Sequence, residues 1–246
     1  MFLFHNTGKE GITLDLTTAT GQDLFRRLVT KVDVVVESYS PDKAKALGTK
    51  YDKLAGTNPA LVVTNLTDFG SDGPRRDESL TDLTVFAMTG FMYPMGEPAG
   101  PPVRPGGPFS GFIAGLYGCF ATLMAYMSAL ASGRGQQVEV SRFEAVLAAL
   151  IYDVTQCSYS GELRRRLGRY YSLKHALNLS VQPTKDDYIA FLVGPGSERW
   201  ETLWETLLGM PEVLDDDRFQ TVEGRRAHLA ELETMVQSWL RERTAE

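Results

Sequence analysis

Cysteine is nearly missing from this chain. Cys119 and Cys157 stand alone, with no CxxC and no Cys/His spacing, so neither a disulfide framework nor a zinc site is expected, and a reducing, cytoplasmic setting fits. Histidine is almost as scarce: His5, His175 and His228 lack a carboxylate or thiol at motif spacing. Positive charge is short as well. Lys and Arg number 25 against 31 Asp and Glu, a net charge of −6, and such a field repels phosphate backbones and argues against a nucleic-acid partner. The opening Met1-Phe2-Leu3-Phe4-His5 has no basic n-region, so no signal peptide is read. Only one apolar stretch is long. Phe109 to Ala131 holds no charge and has bilayer-crossing length. Its Pro-Gly entry, the polar Ser110, Thr122 and Ser128, and the lack of a second such segment predict a buried core helix and no membrane.

What is present describes a globule: 43% hydrophobic, 10% aromatic and 23% charged residues over 246 positions, room for one large domain or two small ones. Short apolar runs alternate with helical patterns. Ile12–Leu16, Val32–Glu37 and Leu61–Leu66 read as strands, and the β-branched second run suits a strand covered on both faces. Between them, Gly21–Lys31 carries Leu24, Phe25 and Leu28 on one helical face, and a short helix opens at Ser40-Pro41 and closes at Gly48. That alternation predicts βαβ units and a parallel sheet. Helices are expected over Leu80–Met92 and Phe143–Tyr159, with a strand at Val138–Val140 between the long apolar helix and the latter. After Gly161 the composition shifts: a hairpin over 177–193 and amphipathic helices at Ser197–Leu208 and Arg225–Arg243 predict a smaller α+β domain.

Few residues announce chemistry by spacing. Asp68-Phe69-Gly70 spells a kinase tripeptide without the surrounding loops, and Ser110 lacks the strand–turn–helix setting of a nucleophile elbow. His228 falls on the polar side of a charged helix and reads as solvated, and Cys119 and Cys157 read as small core hydrophobes. Arg164, Arg165, Arg166 and Arg169 admit two readings, cations offsetting a helix C-terminus or an anchor for a phosphorylated ligand, with His175 as a further phosphate contact.

Taken in order, several stretches carry a resemblance: Asn6-Thr7-Gly8-Lys9-Glu10-Gly11-Ile12-Thr13-Leu14-Asp15-Leu16, then Val36-Glu37-Ser38-Tyr39-Ser40-Pro41, Asn58-Pro59-Ala60-Leu61, Phe69-Gly70-Ser71-Asp72-Gly73-Pro74, and Gly133-Arg134-Gly135-Gln136-Gln137-Val138-Glu139-Val140-Ser141. Together they resemble the class III CoA-transferases, the carnitine-dehydratase and bile-acid-inducible family. The resemblance implies an α/β fold: an incomplete Rossmann-like parallel sheet with helices over residues 1–161, and a small α+β domain over 162–246. It implies coenzyme A or an acyl-CoA as ligand, no metal, and transfer of CoA between an acyl-CoA and a carboxylate. In that chemistry an aspartate attacks the thioester, and CoA thiolate then attacks the resulting anhydride. Relatives of the same fold racemise 2-methylacyl-CoA with an Asp and a His.

Against that pattern the chain departs at its centre. The family's nucleophilic aspartate aligns with Gly111, the racemase histidine with Thr81, and three positions that often carry CoA-phosphate cations read Thr17, Ala46 and Ser79. No catalytic residue is therefore assigned; Asp82 is the remaining carboxylate beside the site, with Glu97 farther off. The CoA contacts implied are Leu14, Thr17, Ser38, Tyr39, Lys45 and Asp82, with Tyr39 keeping an aromatic face for the adenine. The family's first strands would precede Asn6, and its chain would return to the large domain beyond Glu246, so a homodimer or a heteromer with a family chain is expected to complete the sheet. Three readings follow: a subunit without covalent catalysis, an acyl-CoA enzyme using Asp82 or Glu97 as a base, or an interaction module without CoA affinity.

Overall fold

Local signals set most element ends in the computed structural model, which describes residues 2–168, 180–191 and 197–245. The chain divides into two compact units, one within 1–91 and 104–161 and the other within 92–103 and 162–246.

The first unit opens with α1 (Phe2–Asn6) and α2 (Ala19–Val29), the latter capped by Thr18, whose hydroxyl accepts from the Gly21 amide. β1 (Val34–Glu37) leads into α3 (Pro41–Leu47), with proline in its first turn and Gly48 left-handed at its C-cap. After α4 (Tyr51–Leu54) comes β2 (Val62–Thr67), then α5 (Asp82–Met88), α6 (Phe109–Ser132), β3 (Gln137–Ser141), α7 (Arg142–Ala148) and α8 (Ile151–Ser160). The sheet runs β1-β2-β3, all parallel, with Val34 opposite Val62 and Thr64 opposite Val138. One face packs Val29, Leu54, Leu61 and Val63 with Phe25, Val35 and Tyr51. The other receives α6 through Ala125 and Ala129 on Val62, and Ala114 on Val140. Small side chains let that helix approach closely: a Cβ at Gly118 would lie 3.0 Å from Leu66 Cδ2.

Four expectations change here. Ile12–Leu16 forms no strand; Ile12 is exposed, and the Asp15 carboxyl instead closes a turn by accepting from the Thr17 amide and hydroxyl. β1 is not covered on both faces along its length: α6 packs on Val34, but Val36, on the same face, is 62% exposed. The long apolar helix is buried along its sheet-facing side only: Leu116, Phe120, Met124 and Met127 are open, as is Cys119. The helix expected from Phe143 to Tyr159 breaks where the Leu150 amide bonds back to Leu147, three residues away.

In the second unit β4 (Ser180–Pro183) and β5 (Tyr188–Phe191) form an antiparallel hairpin. α9 (Ser197–Glu201) runs into a π-turn over Thr202–Leu207, and α10 (Val222–Ala227) and α11 (Leu229–Arg241) follow. Trp204, Phe219, Leu232 and Val236 make its core, with the Arg225 guanidinium 4.0 Å from the Trp200 ring and its pKa lowered by burial. His228 is half-buried rather than solvated: Nδ1 lies 2.9 Å from the Gly224 carbonyl and the ring stands edge-on to Phe219.

Candidate functional site

The carboxyl ends of β1 and β2 open into a cavity of about 340 Å³ within the first unit. Ser38, Tyr39 and Ser40 line it just after β1, and Leu66, Thr67 and Asp68 at the end of β2. The loop residues Arg76 to Ser79, Gly111 and Ala114 on the first turns of α6, and Arg142 at the start of α7 close it. Ligands of open α/β sheets occupy this position because strand ends, helix starts and loops converge there.

Asp68 holds the loop wall in place. Its carboxylate pairs with Arg142 at 2.7 Å and accepts from the Leu80 amide at 2.7 Å, while Arg142 donates to the Leu80 carbonyl. The Asp68 carbonyl in turn accepts from the Phe143 amide and the Ser141 hydroxyl. The loop from 68 to 80 is thus tied at both ends to the start of α7. Arg76 pairs only at the surface, 3.7 Å from Asp42 and 3.4 Å from Asp77, and contributes little to stability there.

Gly111 stands in the cavity wall, and a Cβ built on it meets no heavy atom within 4 Å. Its neighbour Ser110 is fully buried and donates its hydroxyl to the Asp82 carboxylate. Asp82 is placed by the capping box of α5, in which Thr81 and Thr84 satisfy each other's amides. Tyr39 carries Lys43 Nζ 4.9 Å from its ring centroid, so an aromatic face and a cation share one corner.

Of the residues singled out from the sequence, Ser38, Tyr39 and Gly111 line the cavity, and Asp82 sits behind its wall on Ser110. Lys45 is exposed on α3, outside the lining. Leu14 and Thr17 also lie outside it, on the segment that Gln22 ties to α3 by donating to the Leu16 and Ala46 carbonyls at 3.0 and 3.1 Å. Thr17 is engaged with Asp15, and these hydrogen bonds hold the Asp15 carboxyl below the usual carboxylate range. Glu97 belongs to the other unit, where its carboxylate faces Gly168. There Arg166 donates to the Tyr93 carbonyl at 3.2 Å, whereas Arg169 and His175 lie outside the described residues. Sequence reasoning missed the Asp68–Arg142 pair and the burial of Ser110, since no local spacing joins residues so far apart. Among the described residues no three His, Cys, Asp or Glu side chains gather in a cluster of metal-site size.

A parallel α/β sheet with a cavity beyond its strand ends and an open helix start in the wall places the chain in the α/β class. The CoA-transferase family III profile matches residues 1–246, and the chain belongs to that family. It is 32% identical over 238 residues to the succinyl-CoA–D-citramalate CoA-transferase of Chloroflexus aurantiacus, covering 97% of this chain and 58% of that protein. It is 30% identical to the alpha subunit and 26% identical to the beta subunit of succinyl-CoA–L-malate CoA-transferase from the same organism, covering 85% and 97% of this chain and 50% and 58% of the subunits. The crystal structure of a CAIB/BAIF family protein from Brucella suis superposes with a TM-score of 0.79 at 29% identity, over 96% of this chain and 62% of that one. The chain thus spans between half and about three fifths of the length of these relatives.

Proposed function

We propose that this chain binds a CoA thioester at the cavity beyond β1 and β2 and serves as a component of a family III CoA-transferase that does not itself form the covalent acyl intermediate. The observation that carries this is Gly111. It occupies the cavity wall where the resemblance puts the nucleophilic carboxylate, and its surroundings leave that space empty. A hydrogen atom cannot attack a thioester, so the carboxylate must come from elsewhere.

Its partner on this reading is a second family chain, in a homodimer or a heteromer, that completes the sheet. Three features support it. Two relatives are the alpha and beta subunits of one CoA-transferase. β1 and β3 are the edges of a three-stranded sheet. The outer side of α6 exposes Leu116, Phe120, Met124 and Met127, a row of large apolar side chains along the helix. Ser38, Tyr39 and Lys43 are proposed to receive the nucleotide end of CoA, with Leu14, Thr17 and Lys45 along the adjoining surface. A cytoplasmic location belongs to the same proposal, in keeping with two unpaired cysteines.

The Ser110–Asp82 hydrogen bond favours one further reading, in which Asp82 acts as a base in α-proton transfer on an acyl-CoA. Turnover assays separate the two. The purified chain should move no CoA from succinyl-CoA to free carboxylates. Turnover that Asp82→Ala abolishes would instead establish Asp82 as the acting group. CoA titration tests the cavity itself: a folded chain giving no heat would leave an interaction module without CoA affinity.

A further inference from the structure

Glu37 ends β1 directly before the cavity residues Ser38 and Tyr39, yet it is only 7% exposed. One of its oxygens, Oε2, accepts the Thr49 hydroxyl, and Thr49 is itself 2% exposed. The other, Oε1, is buried without a hydrogen-bond partner. Opposite it in the parallel register stands Asn65 on β2, 6% exposed, whose Oδ1 is likewise buried and unpartnered. Side chains at paired positions point to the same face of a sheet and are within reach of each other. Val35 and Val63, two residues earlier on each strand, share the apolar core of that face, so Glu37 and Asn65 extend that core towards the cavity. Two acceptors without a proton between them would leave two buried groups unsatisfied, a costly arrangement.

We propose that Glu37 is carried as the neutral carboxylic acid, its proton bridging to Asn65 Oδ1, and that this bridge clamps the ends of β1 and β2 beneath the cavity rim. One proton satisfies both orphaned oxygens. Burial pushes the Glu37 carboxyl above its ordinary value, while the Thr49 hydrogen bond and the charge of Lys50 at the N-cap of α4 pull it down more weakly. The neighbour from β2 is the neutral Asn65, and the neighbour after α3 is the neutral Thr49, so Lys50 is the charge that bears on it. The sign of the pH dependence follows. Where the folded acid holds a proton that the unfolded one has lost, stability falls as pH rises, from the unfolded value near 4.5 up through the raised folded one. Ionised, Glu37 must draw in water, which parts β1 from β2 at the base of Ser38 and Tyr39.

Carbon-13 NMR titration of the glutamate carboxyls tests the bridge, with Glu37 assigned by its loss in Glu37→Gln. The Glu37 midpoint should lie above those of the exposed glutamates. In Asn65→Leu it should fall, because the neutral acid loses its acceptor; a rise would mean that the Asn65 amide donates to an ionised carboxylate and would overturn the proposal. Should Asn65→Leu fail to fold, Glu37→Gln decides alone. It keeps a donor in place of the acid proton, so it should fold and lose the fall in melting temperature with rising pH. A Glu37→Gln protein whose melting temperature follows pH as the wild type does would also overturn it. The effect on the rim rests on the CoA reading: CoA affinity should drop with pH in the wild type and not in Glu37→Gln. If no CoA binds at any pH, the ligand reading fails while the NMR midpoint still judges the bridge.

Discussion

The Ser110 hydroxyl donates to the Asp82 carboxylate one residue before Gly111, in a position where the serine is wholly buried. The pair links the first turn of α6 to the first residue of α5, so the part of the cavity wall that holds Gly111 is fixed by a charge-assisted hydrogen bond. Ser110→Ala should cost about 1–2 kcal/mol by removing this donor. Denaturant midpoints at neutral pH would show it, and an unchanged midpoint would mean that the bond holds nothing.

Gly111→Asp should fold as well as the wild type. The residue is helical, open to the cavity and free of neighbours within 4 Å of a new Cβ. Replacing a helical glycine relieves about 0.5–1 kcal/mol of backbone entropy, and an acidic side chain suits a helix start. Intact-mass spectrometry after incubation with succinyl-CoA is the chemical readout. The wild-type chain should gain no acyl or CoA mass, and an adduct on Gly111→Asp would show the rest of the site to be competent.

Gly135→Ala should behave in the opposite way. A Cβ there would collide with the Leu61 carbonyl, and the Gly135 amide and carbonyl bond the Pro59 carbonyl and the Tyr51 hydroxyl. A loss of about 2–3 kcal/mol in unfolding free energy is expected, since backbone cannot yield as a flexible side chain does.

The Asp68–Arg142 pair is about a quarter exposed, with side-chain values of 28% and 22%. Asp68→Asn should cost about 2 kcal/mol, less than a fully buried pair would, because water screens part of the charge. Limited proteolysis should then cut between Ser71 and Ser79, within the loop that the pair fastens. Resistance equal to the wild type would remove Asp68 from that role.

In the second unit Arg218 holds the Asp216 carboxyl below the usual range, its guanidinium and backbone amide both donating. A lowered folded pKa adds stability above the unfolded value and loses it as pH falls through the folded one. Melting curves from pH 6 downwards should therefore converge for wild type and Asp216→Asn at the acid end. Curves that stay parallel would rule out this linkage.

How far the sequence speaks depends on distance along the chain. The Pro41 start and Gly48 stop of α3 are written locally, as is the β-branched run of β2 flanked by Asn58-Pro59, and all of them stand where expected. Ile12–Leu16 misleads because alternation alone does not supply a neighbouring strand, and the Asp15–Thr17 turn draws the backbone away. The half-open state of α6 was hidden for a related reason: a helix apolar on all sides does not say which side the sheet takes. At the site, Ser38, Tyr39 and Gly111 were reached through family resemblance. Asp68 with Arg142, and Glu37 with Asn65, are juxtapositions that only the folded β1-β2-β3 order creates.

Calorimetric titration of CoA into the folded chain addresses the central claim most directly, that a CoA site persists where the nucleophile is gone. Saturable heat, diminished in Tyr39→Ala, is the expected result. A folded chain that yields no heat at millimolar CoA would contradict it.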